Sequence, residues 1–266
     1  MDPLLVTAVA VYGALVGLLL DRPAYRLSVE PEQPWRSACP GGHPLGGSSV
    51  GWLGLARCPR CPPGERWYGG RGDTSEPPPD SVRGDTRGWG RVRLPVLVAC
   101  CCAALAAAVG ARPELAVWLL VAPVGVLLAT VDRAVKRLPD VLTLPLAAAL
   151  IAGLAGCVPL PDAGGDWSRA LWAGAVLSLV YFVLFLISPN AVGFGDVKLA
   201  VALGVALGWY GWDAVVFGTF AGFLLASGYA LWLIVRGLAD RKSDVPLGPF
   251  LTAGALVALL LGGLAA

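Results

Sequence analysis

Eight apolar runs constrain the fold of this 266-residue chain more than any other feature. A helix needs about 20 apolar residues to cross a bilayer, and the usual range is about 17 to 25. Only 14% of the residues are charged, whereas about 25% is usual in soluble domains. The sequence therefore predicts an all-α polytopic membrane protein with about eight transmembrane helices. The predicted spans cover residues 3–20, 94–110, 113–131, 141–158, 170–188, 197–209, 214–235 and 247–264.

A polar segment separates the first run from the other seven. Residues 21–93 are rich in charge, Gly and Pro, a composition that is typical of a loop. We therefore divide the chain into a first transmembrane helix (1–20), a Cys-containing loop domain (21–93) and a seven-helix domain (94–266). The short run 197–209 is expected to be tilted, shielded by neighbouring helices or extended at its start.

The distribution of Lys and Arg predicts the topology. With the N-terminus outside, all of the 20 Lys and Arg residues except Arg112 and Arg169 fall on the cytoplasmic side. Cytoplasmic loops carry the excess of Lys and Arg in membrane proteins. This orientation makes 21–93 a cytoplasmic loop domain between helices one and two, and it places Asp132 and Asp196 on the same cytoplasmic side.

Asp132 and Asp196 are the candidate catalytic residues. Each lies at the membrane edge of an apolar run, where ionisable side chains are costly and often functional. Two neighbouring carboxylates share a proton, so one can activate water while the other protonates the scissile amide. The alternative is that Asp196 caps a helix and Asp132 is a solvated interfacial charge.

Four further residues near these carboxylates are candidates for substrate binding or loop structure. Gly193 and Gly195 leave room for a substrate backbone beside Asp196. Lys198 is expected to neutralise local charge or to hold a lipid phosphate. Asp140 opens the fourth run, and a capping or loop-shaping role is the simpler interpretation for it.

Several other function classes are disfavoured. His43 is the only histidine, which excludes Ser-His-Asp and Cys-His catalysis and metal sites with several histidines. A net charge of +2 and the absence of a phosphate loop give no indication of a nucleic-acid partner. A non-enzymatic transporter or scaffold that uses the membrane Asp residues stays open, although internal repeats common in transporters are not evident.

Three motifs resemble a known family. They are Asp132 followed by Pro139-Asp140-Val-Leu-Thr-Leu-Pro145, Gly193-Phe-Gly195-Asp196-Val-Lys198-Leu199, and Val245-Pro-Leu-Gly-Pro-Phe250. Together with the eight-span layout they are similar to the bacterial type IV prepilin peptidases, which are membrane aspartic proteases of the Gly-x-Gly-Asp type. The catalytic positions of that family fall on Asp132 and Asp196, and Asp140 matches a structural position.

This resemblance implies an aspartic endopeptidase of the bacterial cytoplasmic membrane, with the active site at the cytoplasmic face. Its expected substrates are prepilins or pseudopilins, cut after a glycine that ends a short basic leader. A presenilin-like or signal-peptide-peptidase-like protease is the alternative. It is disfavoured because Val131 stands before the first Asp and the late segment reads Pro-Leu-Gly-Pro.

The loop domain departs from the pattern of this family. Many members carry two Cys-x-x-Cys pairs there and also N-methylate the new N-terminus with S-adenosylmethionine, whereas proteolysis itself needs no cofactor. Here only one such pair is present, and a Cys-Pro-Gly-Gly-His segment replaces the other. A structural zinc site with three Cys and one His is the expectation, and incidental reduced thiols are the alternative. The expected ligands are Cys39, His43, Cys58 and Cys61. S-adenosylmethionine is expected only if the methyltransferase activity is retained.

Overall fold

Ten helices make up the described part of this computed structural model, which covers residues 2–29, 33–46, 49–55, 58–61, 89–189, 192–238 and 245–266. No strand occurs in those ranges. The helices are α1 (Pro3–Leu19), α2 (Asp21–Leu27), α3 (Ser49–Trp52), α4 (Trp89–Val109), α5 (Glu114–Val135), α6 (Asp140–Cys157), α7 (Trp167–Ile187), α8 (Phe194–Tyr210), α9 (Trp212–Val235) and α10 (Gly248–Ala265).

The eight long helices coincide with the eight predicted apolar runs. Five of them, α5, α6, α7, α9 and α10, are long and apolar enough to cross a membrane. A sixth span results if α1 and α2, which meet at an angle of 41°, are counted as one. The chain is therefore an all-α polytopic membrane protein, as predicted. The count of eight spans stays a prediction, since α8 has 17 residues and the apolar part of α4 is also short.

Small residues bring three pairs of helices into close contact. A Cβ atom on Gly13 of α1 would lie 2.8 Å from Cα of Ala99 in α4. One on Gly204 of α8 would lie 2.6 Å from the carbonyl oxygen of Ala173 in α7, and Gly222 and Leu251 bring α9 against α10 in the same way. Within a bilayer, such close approach of backbones is a main source of helix association.

Helix α8 occupies the centre of the bundle. It packs against α6, α7, α9 and α10, and most of its residues are buried. This explains how a short, Gly- and Ala-rich segment can lie at membrane depth, because its neighbours shield it from lipid. The helix also starts at Phe194, before the predicted start at residue 197. Two of the expected explanations for the short run therefore apply together, namely shielding by neighbouring helices and extension at its start.

The connection between α5 and α6 turns the chain sharply at the end of the bundle where α8 begins. Lys136 adopts a left-handed conformation with φ of 52°, and its backbone N–H donates to the carbonyl oxygen of Asp132 at 2.7 Å. Leu138 is then buried, and Pro139 precedes the first turn of α6. Asp132 thus comes to lie at the same end of the molecule as Asp196.

The predicted loop domain begins with the short helix α2. Its buried residues Ala24 and Leu27 join the core that is formed by α4, α5 and α8. Residues 62–88 of this domain lie outside the described residues, as do Arg241 and Lys242 of the topology argument. The division into three domains therefore stays a prediction.

Candidate active site

Asp132 lies in the last turn of α5 and is only 5% exposed. Its Oδ2 atom accepts a hydrogen bond of 3.0 Å from the backbone N–H of Gly248, the first residue of α10. The first N–H groups of a helix have no partner within the helix and carry a partial positive charge. The start of α10 is therefore a favourable position for an ionised carboxylate.

Asp196 lies in the first turn of α8 and is 8% exposed. Its Oδ2 atom accepts a hydrogen bond of 3.0 Å from the backbone N–H of Gly193, which stands just before the helix. The carboxylate thus bonds to the start of its own helix, in agreement with the alternative prediction that Asp196 caps a helix. Gly193 has no side chain with which to return the bond, so only one half of a capping box is formed.

The connection after α5 brings the two carboxylates to the same place, because Leu138, six residues after Asp132, packs against Gly195, the residue before Asp196. In each of them Oδ2 is held by a glycine N–H, while Oδ1 accepts no hydrogen bond from any residue that the structure describes. Each carboxylate therefore has one oriented oxygen and one oxygen that is available for water or an amide.

The glycines of the Gly-x-Gly-Asp motif have different surroundings. A Cβ atom on Gly195 would lie 3.0 Å from Cβ of Leu138, so the space beside this glycine is filled by the connection that follows Asp132. Gly195 therefore permits the close packing of α8 that brings the two carboxylates together. Gly193 faces only ordinary contacts, with Oδ2 of Asp196 at 3.5 Å from an added Cβ. Its expected role in substrate binding stays a prediction.

Lys198 and Asp140 pair with each other across α8 and α6. The Nζ atom of Lys198 lies 2.7 Å from both carboxylate oxygens of Asp140. Among the described residues no side chain caps α6, and the partner of Asp140 is a lysine 58 residues away. The loop-shaping role that was considered for Asp140 stays a prediction. The side chain of Asp140 is 58% exposed, and such surface pairs stabilise a fold by about 1 kcal/mol or less. The pair brings opposite charges together near the candidate site. The role expected for Lys198 stays a prediction.

Two residues of this site were missed from the sequence. Gly248 orients Asp132 through its backbone, and a Cβ atom there would lie 2.8 Å from Oδ2 of Asp132. Tyr181 of α7 is 1% exposed and belongs to the same buried cluster as Val197, the residue after Asp196. The sequence does not show which backbone N–H groups donate to a side chain, so Gly248 could not be predicted. Tyr181 could have been, because the hydroxyl of a tyrosine in an apolar span usually needs a polar neighbour.

A second candidate site lies in the N-terminal region, where the four predicted metal ligands come together. Their ligand atoms all lie within 4.8 Å of one another. Sγ of Cys61 is 3.3 Å from Sγ of Cys39 and 3.3 Å from Nδ1 of His43. Zinc with bonds of about 2.3 Å to sulfur and about 2.0–2.1 Å to nitrogen holds tetrahedral ligands about 3.5–3.8 Å apart. The donor set and its spacing therefore fit zinc.

The local backbone explains why an irregular Cys-Pro-Gly-Gly-His segment can supply two ligands. The backbone N–H of Cys39 donates to the carbonyl oxygen of His43 at 2.9 Å, and Gly42 turns the chain with φ of 78°. The pKa of Cys58 is lowered: desolvation raises it, but hydrogen bonds from the Arg60 backbone and from the thiols of Cys61 and Cys39 outweigh that effect. A lowered pKa favours the thiolate, which is the form that binds metal.

Comparison with known proteins decides the family. Residues 118–265, which contain both candidate aspartates, match the type IV leader peptidase family. The chain belongs to this family. No solved structure matches it.

Curated relatives of the family extend the likeness. A prepilin leader peptidase/N-methyltransferase of Aeromonas salmonicida is 34% identical over 149 residues, which are 54% of this chain and 47% of the relative. A protein of the same name from Dickeya chrysanthemi is 29% identical over 281 residues, 96% of this chain and 92% of the relative. Leader peptidase HopD of Salmonella typhimurium is 31% identical over 137 residues, 49% of this chain and 83% of the relative. The chain thus covers about half of the length of the Aeromonas salmonicida relative.

Proposed function

We propose that this protein is an aspartic endopeptidase that removes the short leader of prepilins or related pseudopilins, cutting after a glycine. The observation that carries the proposal is the pair of buried carboxylates, Asp132 and Asp196, which lie on different helices at one end of the bundle and are each held by a glycine N–H. Membership of the type IV leader peptidase family supports the same substrate class. It also disfavours a presenilin-like protease and a transporter.

Peptide hydrolysis by this pair follows from the repulsion of two like charges. Two carboxylates at close range do not both stay ionised, so the pair holds one proton and titrates as a unit. The ionised member takes a proton from water as the water oxygen attacks the scissile carbonyl carbon. The protonated member gives its proton to the amide nitrogen, and the carbon–nitrogen bond breaks. The N–H groups of Gly193 and Gly248 keep the two carboxylates oriented for these transfers.

We place the active site at the cytoplasmic membrane face of a bacterial cell, with the N-terminus outside. Arg133 lies in the last turn of α5, and Lys136 and Arg137 follow the helix. Basic residues of this kind accumulate on the cytoplasmic side. A substrate leader that carries basic residues would meet the carboxylates there. The apolar segment of the substrate would stay within the bilayer.

We further propose structural zinc at the cluster of three cysteines and one histidine, together with N-methylation of the new N-terminus. The cluster lies outside the matched family region of 118–265. The likeness to the Dickeya chrysanthemi protein, whose name includes N-methyltransferase, covers 96% of the chain and so extends to this region. S-adenosylmethionine would be the methyl donor.

Mass spectrometry of a prepilin that has been incubated with the purified full chain tests the proposal. Leader removal should occur with the wild type and be lost in Asp132→Asn and Asp196→Asn, while Asp140→Asn, a control at the same end of the bundle, still cleaves. Addition of S-adenosylmethionine should add the mass of one methyl group to the product. Full cleavage by either aspartate variant would refute the peptidase mechanism. Cleavage without methylation would refute only the second activity.

A further inference from the structure

An elongated cavity of about 650 Å³ lies between α4, α5, α6, α8 and α10. Trp118 and Leu150 line its deep part, while Arg93, Arg133 and Pro249 line the end nearest the candidate active site. Trp118 and Arg133 both belong to α5 and are separated by 15 residues, which corresponds to about 22 Å along the helix. The cavity thus follows α5 over most of its length.

The lining of the cavity suits an alkyl chain. Apart from Arg93, Arg133 and two threonines, its described lining side chains are apolar. They extend along α5 for about 22 Å, and each methylene group of an alkyl chain gains van der Waals contacts with neighbours at about 3.5–4.0 Å. Apolar contact along this length favours a chain of methylene groups.

The charges at the open end favour an anionic head group. Arg93 and Arg133 are both exposed there, and no acidic residue is among the described residues that line the cavity. Arg133 makes no hydrogen bond or ion pair with any residue that the structure describes. Anionic lipids give the cytoplasmic leaflet a negative surface potential, to which basic residues at the membrane surface are attracted.

We propose that this cavity binds one acyl chain of an anionic phospholipid, with the lipid phosphate at Arg133. Binding requires neither candidate aspartate, so the inference is independent of the proposed peptidase activity. Because the cavity opens next to Gly248, which holds Asp132, the bound lipid also forms part of the wall beside the candidate active site.

A pair of glycines allows the acyl-chain position to be tested with a matched control. Gly125 lines the cavity, and an added Cβ atom there meets nothing within 4 Å. Gly228 of α9 is equally open but lies on the exposed face of its helix, away from the cavity. Gly125→Leu should obstruct the cavity and abolish the retention of phosphatidylglycerol, whereas Gly228→Leu should retain it as the wild type does. Native mass spectrometry of the delipidated, detergent-purified full chain, titrated with phosphatidylglycerol, measures this retention.

A pair of arginines tests the head-group position. Arg133→Gln should weaken binding of phosphatidylglycerol about fivefold, the effect expected of one basic residue at the surface. Binding of phosphatidylcholine, which carries no net charge, should change by less than twofold. Arg236, stacked on Trp232 at the end of α9, lies away from the cavity, so Arg236→Gln should leave both lipids unaffected.

Three results would overturn the proposal. The first is wild-type retention of phosphatidylglycerol by Gly125→Leu with an unchanged thermal unfolding temperature. The second is equal loss of both lipids in Arg133→Gln. The third is stoichiometric displacement of bound phosphatidylglycerol by a prepilin peptide that includes its apolar segment, which would assign the cavity to the substrate.

Discussion

Replacing Gly248 with alanine should slow leader cleavage without unfolding the protein. The added Cβ atom would lie 2.8 Å from Oδ2 of Asp132, whereas carbon atoms normally stay at about 3.5 Å or more from a non-bonded neighbour. The carboxylate or the start of α10 must therefore shift by about 0.7 Å or more, and the hydrogen bond from the Gly248 N–H lengthens. A hydrogen bond to a charged group contributes about 1.5–3 kcal/mol. Its loss in the transition state corresponds to a fall of roughly 10- to 100-fold in kcat.

Gly254→Ala is the matched control, since it lies on the same helix and would clash with Gly222 of α9, far from either carboxylate. Both variants are compared by the kinetics of prepilin cleavage and by thermal unfolding in detergent. We expect both to lower the unfolding temperature, and only Gly248→Ala to lower kcat for the folded fraction. Equal kcat values in Gly248→Ala and the wild type, or equal losses in the two variants, would refute the positioning role.

Three further predictions concern parts of the molecule outside the carboxylate pair. Removal of the surface ion pair by Lys198→Ala or Asp140→Ala should destabilise the fold by about 1 kcal/mol or less, and a loss of several kcal/mol in thermal unfolding would contradict this. Elemental analysis should find one zinc per chain in the wild type and none in the Cys39→Ser/Cys61→Ser variant; metal-free wild-type protein that keeps its thermal stability would contradict a structural zinc site. The backbone N–H of Arg169 and the hydroxyl of Ser168 lower the pKa of Asp166, so its stabilising effect is complete above about pH 4, the ordinary value, and is lost as the pH falls through the lower folded-state value. Unfolding of Asp166→Asn should lack this acid-sensitive component.

The helices could be predicted largely because a bilayer imposes length and hydropathy on each span. The predicted run 141–158 corresponds to Asp140–Cys157, and 214–235 corresponds to Trp212–Val235. Helix α2 could not be predicted in this way, because its Asp, Arg and Pro residues break any apolar run. Its place in the core depends on Ala24 and Leu27. Two apolar residues within a polar segment are too few to predict a buried helix.

In the candidate site, the two aspartates could be predicted from the sequence, but the residues that contact the site's side chains could not. Asp132 and Asp196 stood out because a charge at a membrane edge is costly. The ion pair of Lys198 with Asp140 and the bond from Gly248 to Asp132 join residues 58 and 116 positions apart. Such contacts depend on how α6, α8 and α10 pack, and local sequence patterns do not encode that packing. Cys39 and His43 were predicted as metal ligands, but the turn between them could not be predicted. Its geometry depends on the left-handed conformation of Gly42.

The most direct test of the central claim is a double-mutant cycle on the two aspartates. If Asp132 and Asp196 act as one unit, prepilin cleavage by the double variant Asp132→Asn/Asp196→Asn should be no slower than cleavage by either single variant, since losing one member already disables the pair. Single-turnover cleavage rates for the wild type, both single variants and the double variant measure this. Equal residual rates in all three variants would support the account, whereas losses that multiply, or a single variant at the wild-type rate, would contradict it.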